Sequence, residues 1–269
     1  MVPLFKRLST RIPRLHQRNM HIKSIPMRWG SGDNYAYILT DTATKSSWLI
    51  DSAFPKDIPE SSFSDVKIDA IVNTHHHGDH SGGNATYKKK FGVQIIAGRD
   101  SPLVDYTPAD GEVMQLGQDV SVKAIHTPCH TQDSICYFAE DKKTGEKALF
   151  SGDTLFNSGC GRFFEGTPKE MLDSLGKLAR LPSDTVVYPG HEYTKSNVKF
   201  SKTVLKNEAL DKLDDFCKEN EVTTGKFTIK DELAFNPFMR CDDEELKAKL
   251  HVADDAELMG LLREMKNNF

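Results

Sequence analysis

Residues 75 to 80 read His-His-His-Gly-Asp-His, five side chains able to bind a metal within six positions, and with Thr74 before them they directly follow the apolar run Asp69-Ala70-Ile71-Val72-Asn73. A strand that delivers such a cluster into a loop can aim several imidazoles and a carboxylate at one point. Convergence of neutral nitrogens and carboxylate oxygens suits Zn²⁺ or a similar borderline cation. A polar surface loop is the plainer alternative, but clustered histidine points first to a metal.

The cluster is too small to complete a site, so the fold must bring further ligands from other strand ends. Three positions qualify. His130 follows the alternating run Val120-Ser121-Val122-Lys123-Ala124-Ile125, Asp153 follows the apolar Phe150, and His191 follows Val186-Val187-Tyr188, where Pro189 and Gly190 end the strand. Alone, each would read as a cap or a buried hydrogen-bonded residue. Together with residues 75 to 80 they outline one site.

These four segments, in this order, resemble the metallo-β-lactamase superfamily and, within it, glyoxalase II, the hydroxyacylglutathione hydrolases of fungal type. The resemblance extends over residues 21 to 269 and includes Pro128-Cys129-His130-Thr131, residues 159 to 166 (Gly-Cys-Gly-Arg-Phe-Phe-Glu-Gly), Gly190-His191-Glu192-Tyr193 and Asn236-Pro237-Phe238-Met239-Arg240. It implies an αββα sandwich, of α/β class, with a C-terminal α-helical domain. It also implies two divalent metal ions, Zn²⁺ first with Fe or Mn as alternatives. One would be held by His75, His77 and His130, the other by Asp79, His80 and His191, with Asp153 bridging. His76 and His126 would be structural. Asp51 is either an acceptor for a metal-bound imidazole or a turn residue.

The reaction implied is hydrolysis of S-(2-hydroxyacyl)glutathione, typically S-D-lactoylglutathione, to glutathione and D-lactate, the second step of methylglyoxal detoxification. A water bridging two dications loses a proton near neutral pH and needs no Ser or Cys nucleophile. Asp79 would help to orient it, acting as a catalytic residue as well as a ligand. Glutathione carries two carboxylates, and the resemblance assigns its binding to Arg162, Phe164, His191, Tyr193, Arg263 and Lys266. For the last two there is also a physical reading. In residues 256 to 266, Leu258, Leu261, Leu262 and Met265 form one helical stripe, with Arg263 and Lys266 on a neighbouring face. A solvated cationic last turn complementing the helix dipole is the alternative.

The sequence departs from the usual pattern at Gly78, where an aromatic is common, at Phe164, where many members have Tyr, at Arg162, where many have Lys, and at Ser52, where Pro is usual. The glycine is expected to loosen the loop and open one wall of the site.

Short strand-like runs over residues 35–39, 47–50, 70–72, 93–96, 120–122, 135–138, 148–150 and 185–188 alternate with a few helical segments. After Tyr193 the composition turns to charged, helix-favouring stretches such as 199–220 and 242–250. The expected organisation is a leader at 1–20, a catalytic domain at 21–193 and a helical glutathione-binding domain at 194–269. The net charge of −4 offers no basic footprint for nucleic acid. No apolar window is long enough to span a membrane, and the expected state is a monomer. Five scattered cysteines without a Cys-x-x-Cys pair suggest a reducing compartment. Residues 1–20 carry Lys6, Arg7, Arg11, Arg14 and Arg18 with no acid, as mitochondrial transit peptides do, so a matrix location is expected, with Met20 an internal start for a cytosolic form. The competing enzymatic reading is a glutathione persulfide dioxygenase with one iron on His75, His130 and Asp153; a non-catalytic binding module would have eroded ligands.

Overall fold

The computed structural model describes residues 19–269, so the transit-peptide reading falls, apart from Asn19 and Met20, outside the described residues. Two five-stranded sheets form the frame. The first contains β1 (Met20–Met27), β2 (Asn34–Asp41), β3 (Ser46–Ile50), β4 (Lys67–Val72) and β5 (Gln94–Ile96) in that order. The second contains β6 (Val113–Leu116), β7 (Val120–His126), β8 (Ile135–Asp141), β9 (Lys147–Gly152) and β12 (Val186–Pro189), ordered β12-β9-β8-β7-β6. A small hairpin, β10 (Leu155–Phe156) with β11 (Gly159–Cys160), stands apart.

Alternation along the strands decides which face goes where. In β2, Tyr35, Tyr37 and Leu39 join Trp48, Val72, Val122, Tyr137 and Phe150 in a core shared by both sheets, whereas Ala36 and Ile38 face the other way, with Tyr87. That outer face is covered by α2 (Asn84–Phe91), which follows the one-turn α1 (Gly78–Ser81). The outer face of the second sheet packs Ile125, Cys136, Leu149 and Val187 against helices. These are α3 (Pro168–Ala179), α4 (Thr194–Val204), α5 (Glu208–Glu219), α6 (Ile229–Phe235), α7 (Glu244–Leu250) and α8 (Asp255–Asn267). The layering is αββα, as the resemblance implied.

Local chemistry explains the covering helices. Thr167 and Glu170 form a capping box at the start of α3, Pro168 occupies its first turn, and Met171, Leu175 and Leu178 fall on one face and are buried. Each such side chain contributes about 1.5–3 kcal/mol on burial, more than the ~1 kcal/mol of the cap, so packing rather than capping holds the helix. The charged stretch 199–220 is not one helix. It breaks at residues 205–207, where Asn207 caps α5 by accepting from Leu210 N. Among the described residues, no helix is long and apolar enough to cross a membrane.

Strand direction gathers the site. β7 and β9 are each antiparallel to β8, and β12 is parallel to β9, so β7, β9 and β12 end at the same edge of the second sheet. The end of β4 is tied to that edge, because Ile135 N donates to Thr74 O at 2.8 Å. Tyr35 N donates to Gly190 O at 2.9 Å, linking β2 to the loop after β12. Four loops rich in ligand-type residues therefore emerge together.

Candidate metal centre

The loop after β4 delivers His75, His77, Asp79 and His80; those after β7, β9 and β12 deliver His130, Asp153 and His191. Their ligand atoms fall into overlapping groups. His77 Nδ1 lies 3.1 Å from both His75 Nε2 and His130 Nε2. His191 Nε2 lies 3.3 Å from His80 Nε2 and 3.4 Å from Asp79 Oδ2. Asp153 faces both groups: Oδ1 is 3.4 Å from His80 Nε2, and Oδ2 is 3.4 Å from His191 Nε2 and 3.5 Å from His130 Nε2. Five nitrogens and two carboxylates thus converge, and Asp153 Oδ1 is buried with no hydrogen-bond partner. Such a donor set fits borderline divalent cations.

Glycines permit the crowding. A Cβ at Gly190 would stand 2.3 Å from Asp153 Oδ1 and 2.7 Å from His80, and one at Gly161 would stand 1.9 Å from Asp153 O. A side chain at Gly190 would displace the carboxylate, and one at Gly161 would displace the Asp153 main chain.

The outward ring nitrogens are fixed as metal-binding imidazoles require. His75 Nδ1 meets Thr74 Oγ1 at 3.1 Å, His80 Nδ1 meets Asp51 Oδ2 at 3.0 Å, His130 Nδ1 meets Arg162 O at 2.9 Å and His191 Nδ1 meets Gly32 O at 2.7 Å. Asp51 is both of the things its sequence context allowed. Its φ of 51° makes it a turn residue, while its carboxylate accepts from Thr74 N, Thr74 Oγ1 and His80. Asp51→Ala is expected to weaken metal binding by about 10 to 100-fold; competition titration against a chelator checks this, and unchanged affinity would refute it. His76 and His126 lie outside the cluster and have structural partners, Asp133 Oδ1 and Pro108 O, each at 2.8 Å.

Electrostatics separates the two groups. Burial pushes His75, His77 and His130 below the usual imidazole range. Burial acts the same way on His80 and His191, but Asp153 overcomes it in both, aided by Asp51 at His80 and by Asp79 at His191, and His191 reaches about 10. Burial raises the Asp79 carboxyl, yet His191, His80 and the Asn34 amide hold it well below its ordinary value. The carboxylates therefore favour positive charge here, and a dication would compete with protons for these nitrogens.

A cleft of about 610 Å³ opens over the cluster, lined by His77, Asp79, His130, Asp153 and His191 and also by Arg162, Phe164, Tyr193, Arg263 and Lys266. Tyr193 stacks on His191 with centroids 4.5 Å apart, and Phe164, 61% exposed, lies 5.2 Å from the His130 ring. Lys266 Nζ donates to Ser196 Oγ at 2.9 Å. Burial and the guanidiniums of Arg263 and Arg162 push Lys266 down to about 8. Three mutually repelling cations beside one cleft suit an anionic ligand.

The expected stripe on α8 needs correction. The buried residues are Leu258, Met259, Leu262 and Arg263, while Leu261 and Met265 are only half-buried. α8 rests on α3 and on the turn Pro237–Met239, which turns Arg263 into the packed face. There its guanidinium lies 5.6 Å from the Phe238 ring centroid and donates to Cys160 O at 2.8 Å. Cys129 is buried with its thiol pushed up to about 12, chiefly by desolvation, as suits packing rather than nucleophilic attack. A Cβ at Gly78 would meet no atom within 4 Å, so this position is open.

Sequence reasoning missed Phe156, Ser196, Asn197 and Asn267 in the cleft wall, and Asn34, whose amide donates to Asp79 Oδ2 at 3.1 Å. Asn267 was within reach, being one helical turn beyond Arg263, whose Nε donates to its Oδ1. The others carry no local signal.

Residues 29–103 and 97–191 match the metallo-beta-lactamase superfamily, and residues 192–269 match the hydroxyacylglutathione hydrolase C-terminus. The cytoplasmic isozyme of hydroxyacylglutathione hydrolase from Saccharomyces cerevisiae is 46% identical, the alignment covering 92% of this chain and 99% of the relative. The mitochondrial enzyme of the same organism is also 46% identical, over 93% of this chain and 96% of its own length. In fold, the chain resembles the crystal structure of ETHE1 from Myxococcus xanthus, with a TM-score of 0.63 at 22% identity, covering 93% of this chain and 100% of that one. With a matching superfamily domain, a matching C-terminal domain and near full-length relatives, the chain belongs to the hydroxyacylglutathione hydrolase family of the metallo-β-lactamase superfamily.

Proposed function

We propose that this protein is a thioester hydrolase that cleaves S-(2-hydroxyacyl)glutathione, typically S-D-lactoylglutathione, to glutathione and the 2-hydroxy acid. The observation that carries the reading is the convergence of seven ligand-type side chains, five of them lining a cleft that Arg162, Arg263 and Lys266 also line. His75, His77 and His130 would hold one divalent ion, Asp79, His80 and His191 a second, and Asp153 would bridge them, with Zn²⁺ the first choice. Bound there, the ions would supply a deprotonated water and a Lewis acid for the thioester carbonyl.

The remaining work falls to the chain. Arg263, Lys266 and Arg162 bind the carboxylates of glutathione; Tyr193 and Phe164 flank the tripeptide, with His191 at the junction of the two subsites. Asp79, held in its ionised form by its neighbours and fixed by Asn34, accepts a hydrogen bond from the attacking hydroxyl and orients it. Attack forms the new C–O bond, collapse breaks the C–S bond, and glutathione leaves as the thiolate. In this reading residues 21–193 form the catalytic unit and 194–269 the glutathione-binding unit. The basic leader at 1–20 would direct the protein to the mitochondrial matrix, and initiation at Met20 would give a cytosolic form.

Purified protein is expected to hydrolyse S-D-lactoylglutathione, to lose that activity on dialysis against a strong chelator, and to regain it with Zn²⁺, followed by thioester absorbance. Turnover that survives complete metal removal would refute the reading.

A further inference from the structure

Glu232, on α6, is wholly buried, and no step of the proposed reaction uses it. Its Oε2 accepts from Ser158 N at 3.0 Å and from Asn236 Nδ2 at 2.9 Å, while Oε1 is buried without a partner. Burial pushes the carboxyl up to about 8, outweighing the opposing effect of these two donors. Burial thus favours the uncharged acid, which spares the fold an unpaired buried charge.

One partner of Glu232, Ser158, belongs to the turn between β10 and β11; the other, Asn236, caps the end of α6 and reaches the same turn. Ser158 holds a φ of 57°, the left-handed region that non-glycine residues avoid, so its conformation must be imposed from outside. The Asn236 amide also donates to Gly159 O at 3.0 Å, and Ser201 Oγ donates to Ser158 O at 3.1 Å. The turn is thereby clamped from the helical side of the molecule. Immediately beyond it come two carbonyls that the cleft depends on: Cys160 O, which receives Arg263 Nη1, and Arg162 O, which receives His130 Nδ1. At the other end of the turn, Phe156 packs 5.3 Å from the Tyr193 ring.

We propose that Glu232 is a positioning residue for glutathione recognition: by holding the turn at Ser158 it fixes the Cys160 carbonyl that orients Arg263. The proposal rests on the glutathione thioester reading above. Its effect should appear in substrate binding, because the contact runs to the cationic wall first. A residue that only stabilised the fold would lower the melting temperature without dividing KM from kcat.

The test is steady-state kinetics on the full chain with S-D-lactoylglutathione, comparing wild type, Glu232→Ala, Glu232→Asp and Glu232→Gln. Wild-type turnover is measured first, since its absence would sink the functional reading rather than this one. Glu232→Ala is expected to raise KM about fivefold or more, as for loss of a buried hydrogen-bonded contact, with kcat within about twofold and metal content unchanged. Glu232→Gln, uncharged and of the same shape, should restore KM to within about twofold. Should the alanine variant fail to fold, Glu232→Asp carries the test, because it withdraws the carboxyl by one methylene and should raise KM in the same way. Wild-type KM in a folded Ala or Asp variant, or a Gln variant as impaired as the alanine, would overturn the proposal.

Discussion

Asp153→Asn is expected to lower kcat/KM for S-D-lactoylglutathione by at least about 10³-fold, beyond the 10 to 100-fold typical of residues one contact removed from a metal. The substitution keeps the size of the side chain but removes its charge and turns one oxygen into an N–H donor. Both oxygens of Asp153 face imidazole nitrogens at 3.4–3.5 Å, so one ligand position of either group must end against an amide N–H. The side chain has little room to swing away to compensate, since Gly190 stands so close that even a methyl group there would lie 2.3 Å from Oδ1. Metal analysis of the variant should show reduced occupancy together with lost turnover. Near wild-type activity would mean that Asp153 does not join two ions.

The second large effect is expected at the cationic wall. Lys266→Ala should raise KM about 10-fold or more, and the double variant with Arg263→Ala about 100-fold, because hydrogen bonds to charged groups are worth about 1.5–3 kcal/mol each. Their hydrogen bonds run to Cys160 O, Asn267 and Ser196 rather than to the metal-ligand side chains, so kcat should fall only a few-fold. Lys266 gives the cleaner measurement. Arg263 is 7% exposed and also anchors Cys160 O, so its loss disturbs packing as well as charge. In wild type, KM should rise with salt as screening weakens the attraction for the glutathione carboxylates. Unchanged KM in Lys266→Ala, with no salt dependence, would move glutathione recognition elsewhere.

The loops that carry the site were legible because each combines a rare composition with a preceding apolar run. Residues 75–80 announce a metal site unaided, and His130, Asp153 and His191 become readable once a partner is sought at other strand ends. What escaped was less regular. β1 buries Met20 and half-buries Ile22 toward the inter-sheet core but buries Ile25 and Met27 on the outer face, so no single alternation marks it. β6 is a short edge strand whose Val113 and Gln115 are exposed, and β10 and β11 have two residues each. The burial of Arg263 was invisible for a different reason: a cation after Leu261-Leu262 reads as solvated until Phe238 and Cys160 O are known to meet it. Glu232 shows the same gap, since an acid between Asp231 and Leu233 gives no sign that tertiary packing withdraws it from water.

The most direct test of a two-metal thioester hydrolase is to count metal ions per chain in the purified protein and, on the same sample under anaerobic conditions, to measure turnover of S-D-lactoylglutathione. The expected result is about two divalent ions per chain, with thioester hydrolysis that needs no oxygen. One iron per chain, no thioester turnover, and oxygen consumption on glutathione persulfide once air is admitted would contradict it, placing the chemistry on His75, His130 and Asp153 alone.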